Sequence, residues 1–542
     1  MKFHQIMPHT VKMRVSRFSI LLPIFFMSFL LQVSGQDSVS TTQKDPVPKV
    51  IVKPQLIRGP YLQVATSNSM VVRWRTDAFA RSRVRFGTVA GQLERTADDP
   101  ALTTEHLVKL TGLIPGTKYY YSIGSMKDTL QAGKDNYFFT LPIAGTEGIY
   151  RIGAFGDCGN NSVNQRNVRN EVLKYLGDNY MNTWILLGDN AYPDGTDAEF
   201  QAKFFNIYKD ELLKKSPLFP SPGIHDYRDR ELSSGVAQNT HEVAYFQNFS
   251  MPEDGESGGV ASHTKAFYSF DIGNVHFLSL DSYGKEDNET RMYDTTGAQV
   301  QWVKRDLEAN KNTQWVVAYW HHPPYTTGSH NSDDVDELTS IRENFIRILE
   351  RYGVDLILCG HSHDYERTGL IKGHYGTETT FNAAIHNLGQ TTGRYDGSNA
   401  CPYLKNSSSN KGTVYVVSGS AGQLGGRSEG FPHNAMQYSN DSVGGASIIE
   451  VQGNRLDLKW VCADGVIRDQ FTIMKDVNKA IKIKSKKGEQ VLLTASFIGS
   501  YQWNRSKETT RSISVTARKG KTVYEVKDAY SCVKDVFEVT AH

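Results

Sequence analysis

Five short motifs in this chain each carry a metal-binding type of side chain, and nearly all of them directly follow an apolar run. Asp, Tyr and His offer the oxygen and nitrogen atoms that metal ions bind in proteins. Because the carboxyl ends of neighbouring strands meet at one edge of a sheet, the pattern predicts that these side chains gather there. In chain order the motifs are Gly156-Asp157-Cys158-Gly159, Gly188-Asp189-Asn190-Ala191-Tyr192, Gly223-Ile224-His225-Asp226, His321-His322-Pro323-Pro324-Tyr325 and Gly360-His361-Ser362-His363.

From Tyr150 onward the sequence alternates between short apolar runs and amphipathic helical segments. This alternation predicts an α/β core, in which a site lies beyond the carboxyl ends of the strands. The apolar runs that predict strands are 152–155, 184–187, 275–280, 315–320 and 355–359. The clearest helical face contains Ile341, Phe345, Ile348, Leu349 and Tyr352.

Two segments with the patterns of short β-strands flank this core. In residues 55–142, Met70, Val72 and Trp74 share one face of a strand, and a Pro-Gly turn before Tyr119 indicates the corner of a β-sandwich. In residues 475–542, Ile481 and Ile483 alternate with lysines, which predicts a second all-β module. This module is short, so its stability is expected to depend on packing against its neighbour.

The N-terminus has the layout of a secretory signal peptide. Basic residues precede an apolar run over 18–31, and small residues before Gln36 predict cleavage after Gly35. The alternative is a membrane anchor, but the run is short of the ~20 apolar residues that a span needs. We therefore predict a signal peptide over 1–35, a linker over 36–54, and a secreted, periplasmic or cell-surface protein.

Composition excludes strong electrostatic binding to polyanions. The chain has 542 residues, a net charge of +2 and 22% charged residues. Such a balance gives no bulk attraction to nucleic acid or to an anionic membrane. We expect several domains, no nucleic-acid partner and no membrane span after signal cleavage.

Five cysteines are too few, and odd in number, for a disulfide scaffold in an exported protein. Cys158 and Cys359 lie beside candidate ligands; they are expected to pack as small buried residues, with thiol ligation as the alternative. Cys401 and Cys462 are a possible disulfide pair that the sequence does not decide.

The ordered motifs resemble those of the metallophosphoesterases. Tyr192 narrows the resemblance to the purple acid phosphatases, whose Gly-Asp-x-x-Tyr motif ends at this position. The run from His361 to Arg367 is similar to the larger plant-type enzymes, and the resemblance covers roughly 56–470. It implies a fibronectin III-like N-terminal domain over 55–142 and a catalytic domain over 143–474 with two mixed sheets flanked by helices. Residues 475–542 resemble immunoglobulin-like modules.

The resemblance implies a dinuclear metal centre. Asp157, Tyr192 and His363 would hold Fe(III), and His321 and His361 would hold a divalent ion (Zn, Fe or Mn). Asp189 would bridge the two ions. Hard carboxylate and phenolate oxygens suit Fe(III), while imidazoles suit the divalent metals. The implied reaction is attack of a metal-bound hydroxide on a phosphate monoester, without a covalent intermediate.

One residue departs from the family pattern. Where the family has Gly-Asn-His, this chain has Ile224, which has no donor atom for the divalent ion. Three protein ligands plus water still form a legitimate catalytic set, but occupancy of the divalent site is expected to fall. The alternative is that Asp226 or a residue distant in sequence supplies the missing oxygen.

Two histidines outside the ligand set are candidate catalytic residues. His225 aligns with a family histidine that contacts the substrate phosphate. His330 lies where related enzymes place a histidine that protonates the leaving alcohol, with a solvated loop residue as the alternative. His322 is expected to pack beside His321 without binding metal.

The leading hypothesis is an exported acid phosphatase that acts on phosphate-ester small molecules. A phosphodiesterase on the same fold is the second enzymatic hypothesis. The non-enzymatic hypothesis is a binding or surface protein whose core lost function at Ile224.

Overall fold

The computed structural model describes residues 53–408 and 412–542, apart from 229 and 231. The predicted signal peptide and nearly all of the predicted linker therefore lie outside the described residues. Among the residues described, no helix combines the length and the apolar character that crossing a bilayer requires.

The N-terminal strands form one hydrogen-bonded sheet of six strands. The longest strand, Met70–Gly87, pairs with Leu56–Gln63 through its first part and with Lys118–Gly124 through its last part, while Arg95–Leu110 pairs along its other side. The predicted corner is present, since the Tyr119 hydroxyl accepts a hydrogen bond from the Ile114 amide at 3.1 Å. The strands are β1 Leu56–Gln63, β2 Met70–Gly87, β3 Arg95–Leu110, β4 Lys118–Gly124, β5 Thr129–Gln131 and β6 Tyr137–Phe139. A β-rich N-terminal domain is thus confirmed, while fibronectin III identity stays a resemblance.

The central region contains fourteen strands between 149 and 475 and nine α-helices among the described residues. The strands are β7 Ile149–Phe155, β8 Thr183–Leu187, β9 Leu218–Ser221, β10 Tyr268–Ile272, β11 Val275–Ser279, β12 Trp315–Tyr319, β13 Leu356–Cys359, β14 Tyr365–Thr368, β15 Tyr403–Lys405, β16 Val414–Ser418, β17 Met436–Asn440, β18 Gly445–Gln452, β19 Arg455–Cys462 and β20 Ile467–Lys475. The helices are α1 Val163–Leu176, α2 Asp197–Glu199, α3 Asn206–Tyr208, α4 Ser234–Thr240, α5 Ala244–Asn248, α6 Ala298–Ala309, α7 Asp336–Ser340, α8 Ile346–Tyr352 and α9 Ala383–His386.

Short helical turns of other kinds join or interrupt these helices. The π-helical turns are Phe200–Phe205, Lys209–Leu213 and Ile341–Phe345, and the 3-10 turns are His225–Tyr227 and Glu378–Thr380. The helical face predicted from Ile341 to Tyr352 therefore runs through a π-helical turn into α8, and Ile341, Phe345, Ile348 and Leu349 are buried as expected.

Two mixed seven-stranded sheets form the core of this region. One has the order β10-β11-β12-β13-β16-β14-β17 and the other β15-β20-β19-β18-β7-β8-β9. The strands β11, β12, β13 and β16 are parallel in the first, and β7, β8 and β9 are parallel in the second. Parallel strands of one sheet end at the same edge, so the motifs after β7 and β8 lie together in one sheet and those after β12 and β13 lie together in the other. The two pairs meet between the sheets, where His321 Nε2 lies 3.3 Å from Asp189 Oδ2.

A buried ion pair joins the two sheets next to this edge. Arg367 on β14 donates from Nε to Asp469 Oδ2 at 2.6 Å and from Nη2 to Asp469 Oδ1 at 3.0 Å. Asp469 lies on β20 of the other sheet, and the Tyr365 hydroxyl also donates to it. Tyr365 and Arg367, which end the motif run that begins at His361, thus have a structural role here.

The C-terminal strands form a four-stranded and a two-stranded sheet. They are β21 Ala480–Ser485, β22 Gln490–Thr494, β23 Gln502–Trp503, β24 Ser512–Thr516, β25 Gly520–Lys527 and β26 Lys534–Ala541. The module's hydrophobic cluster includes Tyr395 and Met474 of the central region, which agrees with the expected dependence on its neighbour. Immunoglobulin-like identity stays a resemblance.

The disulfide pairing considered from the sequence is wrong. Cys401 bonds to Cys532, 131 residues away, and Cys462 is free and buried. The bond ties the loop before β15 to the C-terminal module. Cys158 and Cys359 are buried free thiols, and burial raises the pKa of both, which fits packing better than ligation.

His276 on β11 forms a buried ion-pair cluster that the sequence did not suggest. Its Nδ1 lies 2.7 Å from Asp271 Oδ1 and its Nε2 lies 2.6 Å from Asp306 Oδ2. Burial alone would lower the pKa of His276, but hydrogen bonds to the two carboxylates outweigh burial and raise it to about 9. The charged form is therefore the stable form in the folded protein.

We expect this cluster to make the stability of the fold depend on pH. The contribution of His276 is complete below its unfolded pKa near 6.5 and is lost as pH rises through about 9. Across this pH range the free energy of unfolding should fall by about 3 kcal/mol. Urea unfolding of wild type and His276→Gln across pH 6–10 measures it, since the variant lacks the titrating group. Equal pH slopes in the two proteins would contradict the assignment.

Candidate metal centre

The backbone at three candidate ligands adopts the left-handed conformation. Asp157, Asp189 and His361 have φ values of 54°, 53° and 71°, and each follows a strand within two residues. Residues with side chains rarely adopt this conformation, and it concentrates at functional sites. The turns also contact one another, since the Asp157 carboxylate accepts a hydrogen bond from the His361 amide at 2.9 Å.

Tyr192 connects the two aspartates. Its hydroxyl donates to Asp157 Oδ1 at 2.9 Å, and lies 3.1 Å from Asp189 Oδ2 and 3.5 Å from His363 Nε2. The four side chains thus surround one point with three oxygens and one nitrogen. Such an oxygen-rich set fits a hard cation such as Fe(III).

The second group contains His321, His361 and the same aspartate. The His321 Nδ1–H donates to the Leu187 carbonyl at 2.9 Å, so the Nε2 lone pair faces inward. That Nε2 lies 3.3 Å from both Asp189 Oδ2 and His361 Nδ1. Ligand atoms of Asp157, Asp189 and His321 all lie within 4.8 Å of one another. Nitrogens and a shared carboxylate fit a borderline divalent ion.

The electrostatics around Asp157 and Tyr192 disfavour their charged forms when no metal ion is bound, which supports the fit to metal ions. Burial raises the pKa of Asp157 well above its ordinary value. Burial, followed by the Asp157 and Asp189 carboxylates, raises the pKa of the Tyr192 phenol. A bound cation would stabilise the charged forms of these oxygens, since opposite charge favours ionisation.

The turn that carries Ile224 packs directly on Asp189. A Cβ on Gly223 would lie 2.2 Å from the Asp189 nitrogen, so only glycine fits at that position. The His225 amide donates to Asp189 Oδ1 at 2.8 Å, which leaves Oδ2 to face the other ligands. These contacts fix the Asp189 carboxylate so that its Oδ2 faces both groups of candidate ligands.

Asp226 does not supply the oxygen that Ile224 lacks. Its carboxylate accepts hydrogen bonds from the Gly223 amide at 2.8 Å and from the Asn190 amide and side chain at 3.0 and 2.8 Å. These bonds hold the two turns around Asp189 together. Asn190 and Asp226 are therefore positioning residues that sequence reasoning missed, although both stand inside the quoted motifs.

The two candidate catalytic histidines lie at the exposed side of the centre. His225 Nδ1 lies 2.5 Å from the Pro193 carbonyl, and its Nε2 lies 3.7 Å from Asp189 Oδ2. The His330 ring stacks on His361 with a centroid distance of 3.9 Å. The loop of His330 is thus not free in solvent but packs against a candidate ligand.

Two further side chains support the histidines. The buried His322 Nδ1 lies 2.8 Å from Ser282 Oγ, in agreement with the expectation that it packs beside His321. Ser329 Oγ accepts the His363 amide at 3.0 Å and contacts His330 Nδ1 at 3.1 Å. Ser329 was missed because no local motif marks a serine that bridges two loops.

Two family profiles match the chain. Residues 150–365 match the family described as Calcineurin-like phosphoesterase, and residues 57–141 match the Purple acid Phosphatase, N-terminal domain. The first stretch contains the six candidate metal ligands, and the second corresponds to the six-stranded sheet.

The chain is also similar to two proteins from a plant. The chain is 28% identical over 290 residues to purple acid phosphatase 15 and 29% identical over 286 residues to purple acid phosphatase 23, both from Arabidopsis thaliana. Each match covers 49% of this chain, and the matches cover 50% and 58% of the relatives' lengths.

The fold is also similar to that of a solved plant structure. A purple acid phosphatase from yellow lupin (Lupinus luteus) seeds superposes with a TM-score of 0.58 at 18% identity, over 78% of this chain and 74% of that protein. At 18% sequence identity, this similarity shows a shared fold and nothing more.

Proposed function

The chain belongs to the purple acid phosphatases within the metallophosphoesterases, and from that premise we propose that it hydrolyses phosphate monoesters at a dinuclear metal centre. The observation that carries the proposal is the convergence of six side chains on Asp189 Oδ2 and its surroundings, at the sheet edge where the motifs meet. They are Asp157, Asp189, Tyr192, His321, His361 and His363.

The donor chemistry supports the assignment of two metals. Asp157, Tyr192 and His363 would hold Fe(III), and His321 and His361 would hold a divalent ion such as Zn, Fe or Mn. Asp189 would be shared by the two ions. When bound, the two ions would neutralise phosphate charge and lower the pKa of the attacking water.

Two histidines of the chain would act on the substrate: one would contact its phosphate and the other would donate a proton to the leaving alcohol. His225 stands beside the centre with Nδ1 donating to the Pro193 carbonyl, so the imidazolium form would donate from Nε2 to a phosphate oxygen. His330 contacts Ser329 through Nδ1, which leaves Nε2 to protonate the leaving alcohol. His225 and His363 keep about a fifth to a quarter of their side-chain surface exposed, and this opening would admit the ester.

Export is part of the proposal. The signal-peptide pattern over 1–35 supports it. Release from its host cell with the N-terminus starting at Gln36 would establish it, whereas a retained leader would contradict it.

Metal analysis and assay together test the function. Protein purified from its native compartment should contain iron and close to two metals per chain, show a visible band, and hydrolyse p-nitrophenyl phosphate. Tyr192→Phe should abolish the band, because charge transfer from the phenolate to Fe(III) produces it, while circular dichroism shows the fold intact. An iron-loaded but colourless wild type would refute the Tyr192 assignment.

The same assay separates the other hypotheses. Faster hydrolysis of bis-p-nitrophenyl phosphate than of the monoester would favour a phosphodiesterase. One metal or none, with no hydrolysis, would favour a binding protein with a degenerate core.

Ile224→Asn is expected to tighten the divalent site. The turn at 223–225 already packs on Asp189, so an Asn there would present an amide oxygen without a change of backbone. Divalent metal should then be retained at lower free concentration, and activity at limiting Zn²⁺ should rise. The matched control is Ile224→Leu, which adds no donor. Identical metal-titration curves for wild type and Ile224→Asn would show that Ile224 does not weaken binding of the divalent ion.

A further inference from the structure

Tyr227 shares a short turn with His225, which lies beside the metal centre. In the 3-10 turn His225–Tyr227, three residues complete one turn, so residues two apart point in different directions. The His225 side chain is 20% exposed, whereas Tyr227 is fully buried. Because both side chains are attached to one short piece of backbone, an anchor on Tyr227 also limits how the His225 ring can move.

The anchor of Tyr227 is the buried carboxylate of Asp281. The Tyr227 hydroxyl donates to Asp281 Oδ2. The other oxygen, Oδ1, accepts the Tyr283 amide at 2.9 Å and the Gly284 amide at 2.8 Å. Hydrogen bonds to a carboxylate are stronger than those between neutral groups. The Tyr227 ring also packs between the rings of Phe246 and Tyr283, each with a centroid distance of 5.7 Å, so the hydroxyl is held at the carboxylate.

The loop that carries Asp281 is itself fixed to the centre. Asp281 follows β11, and its amide and carbonyl both bond to the Gln299 side chain of α6 at 2.9 Å. The next residue, Ser282, has its Oγ 2.8 Å from His322 Nδ1 and accepts the His322 amide at 3.2 Å. Since His322 adjoins the candidate ligand His321, one loop connects two of the motifs that form the centre.

We propose that Tyr227 and Asp281 are positioning residues, whose hydrogen bond fixes the direction of His225 toward the phosphate of the substrate. The inference rests on the proposed function, in which His225 contacts that phosphate. The alternative is that the bond only stabilises the fold. The two roles differ in one measurable respect. A positioning bond loses its effect on the substrate once the His225 ring is removed, whereas a bond that only stabilises the fold acts equally with and without that ring.

A double-mutant cycle in the metal-loaded full chain tests the positioning role. Tyr227→Phe removes only the hydroxyl, and circular dichroism should show the fold intact because the ring remains. We expect kcat/KM for p-nitrophenyl phosphate to fall about tenfold, since a misplacement of about 1 Å can cost about 100-fold. In the His225→Ala background, adding Tyr227→Phe should change kcat/KM by less than about twofold, because the effects of coupled residues do not add. A similar fall in both backgrounds would overturn the proposal.

Two further variants serve as controls. Tyr121→Phe removes a buried hydroxyl of the N-terminal domain that donates to the Lys214 carbonyl at 2.8 Å, and it should leave kcat/KM unchanged. Asp281→Asn should lose less activity than Tyr227→Phe, because its side-chain amide can donate to the Tyr227 oxygen and so keeps a hydrogen bond. A fall in Tyr121→Phe as large as that in Tyr227→Phe would contradict a specific role for the turn.

Binding of orthophosphate keeps this inference separate from the proposed function. Calorimetry should show that Tyr227→Phe weakens orthophosphate binding to the metal-loaded protein, and that it has no such effect in His225→Ala. If wild type hydrolyses no ester but its orthophosphate binding shows this coupling, the proposed function fails and the positioning role stands. Equal weakening with and without the His225 ring overturns the positioning role, whether or not the protein is active.

Discussion

Asp189→Asn should remove both metal ions together and lower phosphatase activity by about 1,000-fold, since metal ions contribute several kcal/mol to transition-state stabilisation. Asp189 Oδ2 lies 3.1 Å from the Tyr192 hydroxyl and 3.3 Å from His321 Nε2, so one oxygen faces both halves of the site. An amide at this position has no charge to share between two cations. Its oxygen can still accept the His225 amide, so the fold should persist.

The measurement combines metal content, circular dichroism and hydrolysis of p-nitrophenyl phosphate. Asp464→Asn is the matched control, because it makes the same change in an exposed pair with Arg468. A folded Asp189→Asn protein that holds two metals and stays active would show that another residue bridges the ions.

Asp469→Ala should destabilise the protein by about 3–5 kcal/mol, because it leaves a buried arginine without its counter-charge. Arg367 and Asp469 are both fully buried or nearly so and form two hydrogen bonds across the sheets. Arg394 Nη1 also lies 3.2 Å from Asp469 Oδ1, so the same aspartate balances a second arginine. Activity should fall as well, because β14 directly follows the loop of His363.

Urea unfolding of the purified variants measures this effect. The control Asp464→Ala breaks an exposed ion pair in the same β19–β20 hairpin and should cost no more than about 1 kcal/mol. Similar losses of unfolding free energy in the two variants would mean that the buried ion pair contributes no more to stability than the exposed one.

Much of the central fold followed from local pattern. Apolar runs predicted the strands before Asp157, Asp189, His321 and His361. Parallel pairing placed the ends of β7 and β8 together in one sheet and those of β12 and β13 together in the other. The alternation of Ile481 and Ile483 with lysines likewise predicted β21. These predictions held because burial selects a two-residue hydrophobic period in strands and a 3.6-residue period in helices. Both periods can be recognised within a short stretch of sequence.

Contacts between distant segments were not predictable in the same way. The disulfide Cys401–Cys532 was missed because cysteine spacing does not determine connectivity. The buried cluster of His276 with Asp271 and Asp306 had no motif, since its partners come from another strand and a helix. The place of Asp226 could not be read from its motif either, because only packing decided which way its carboxylate points.

The sequence alone determined which side chains are available for metal chemistry, which strands precede them, and where Ile224 departs from the family pattern. Only the tertiary structure decided that one oxygen of Asp189 faces both groups of ligands and that Asp226 holds the two turns around Asp189. The physical reason is that residue type and period are local properties. The direction of a side chain at the end of a strand depends on the turn, hydrogen bonds and neighbours that the whole fold supplies.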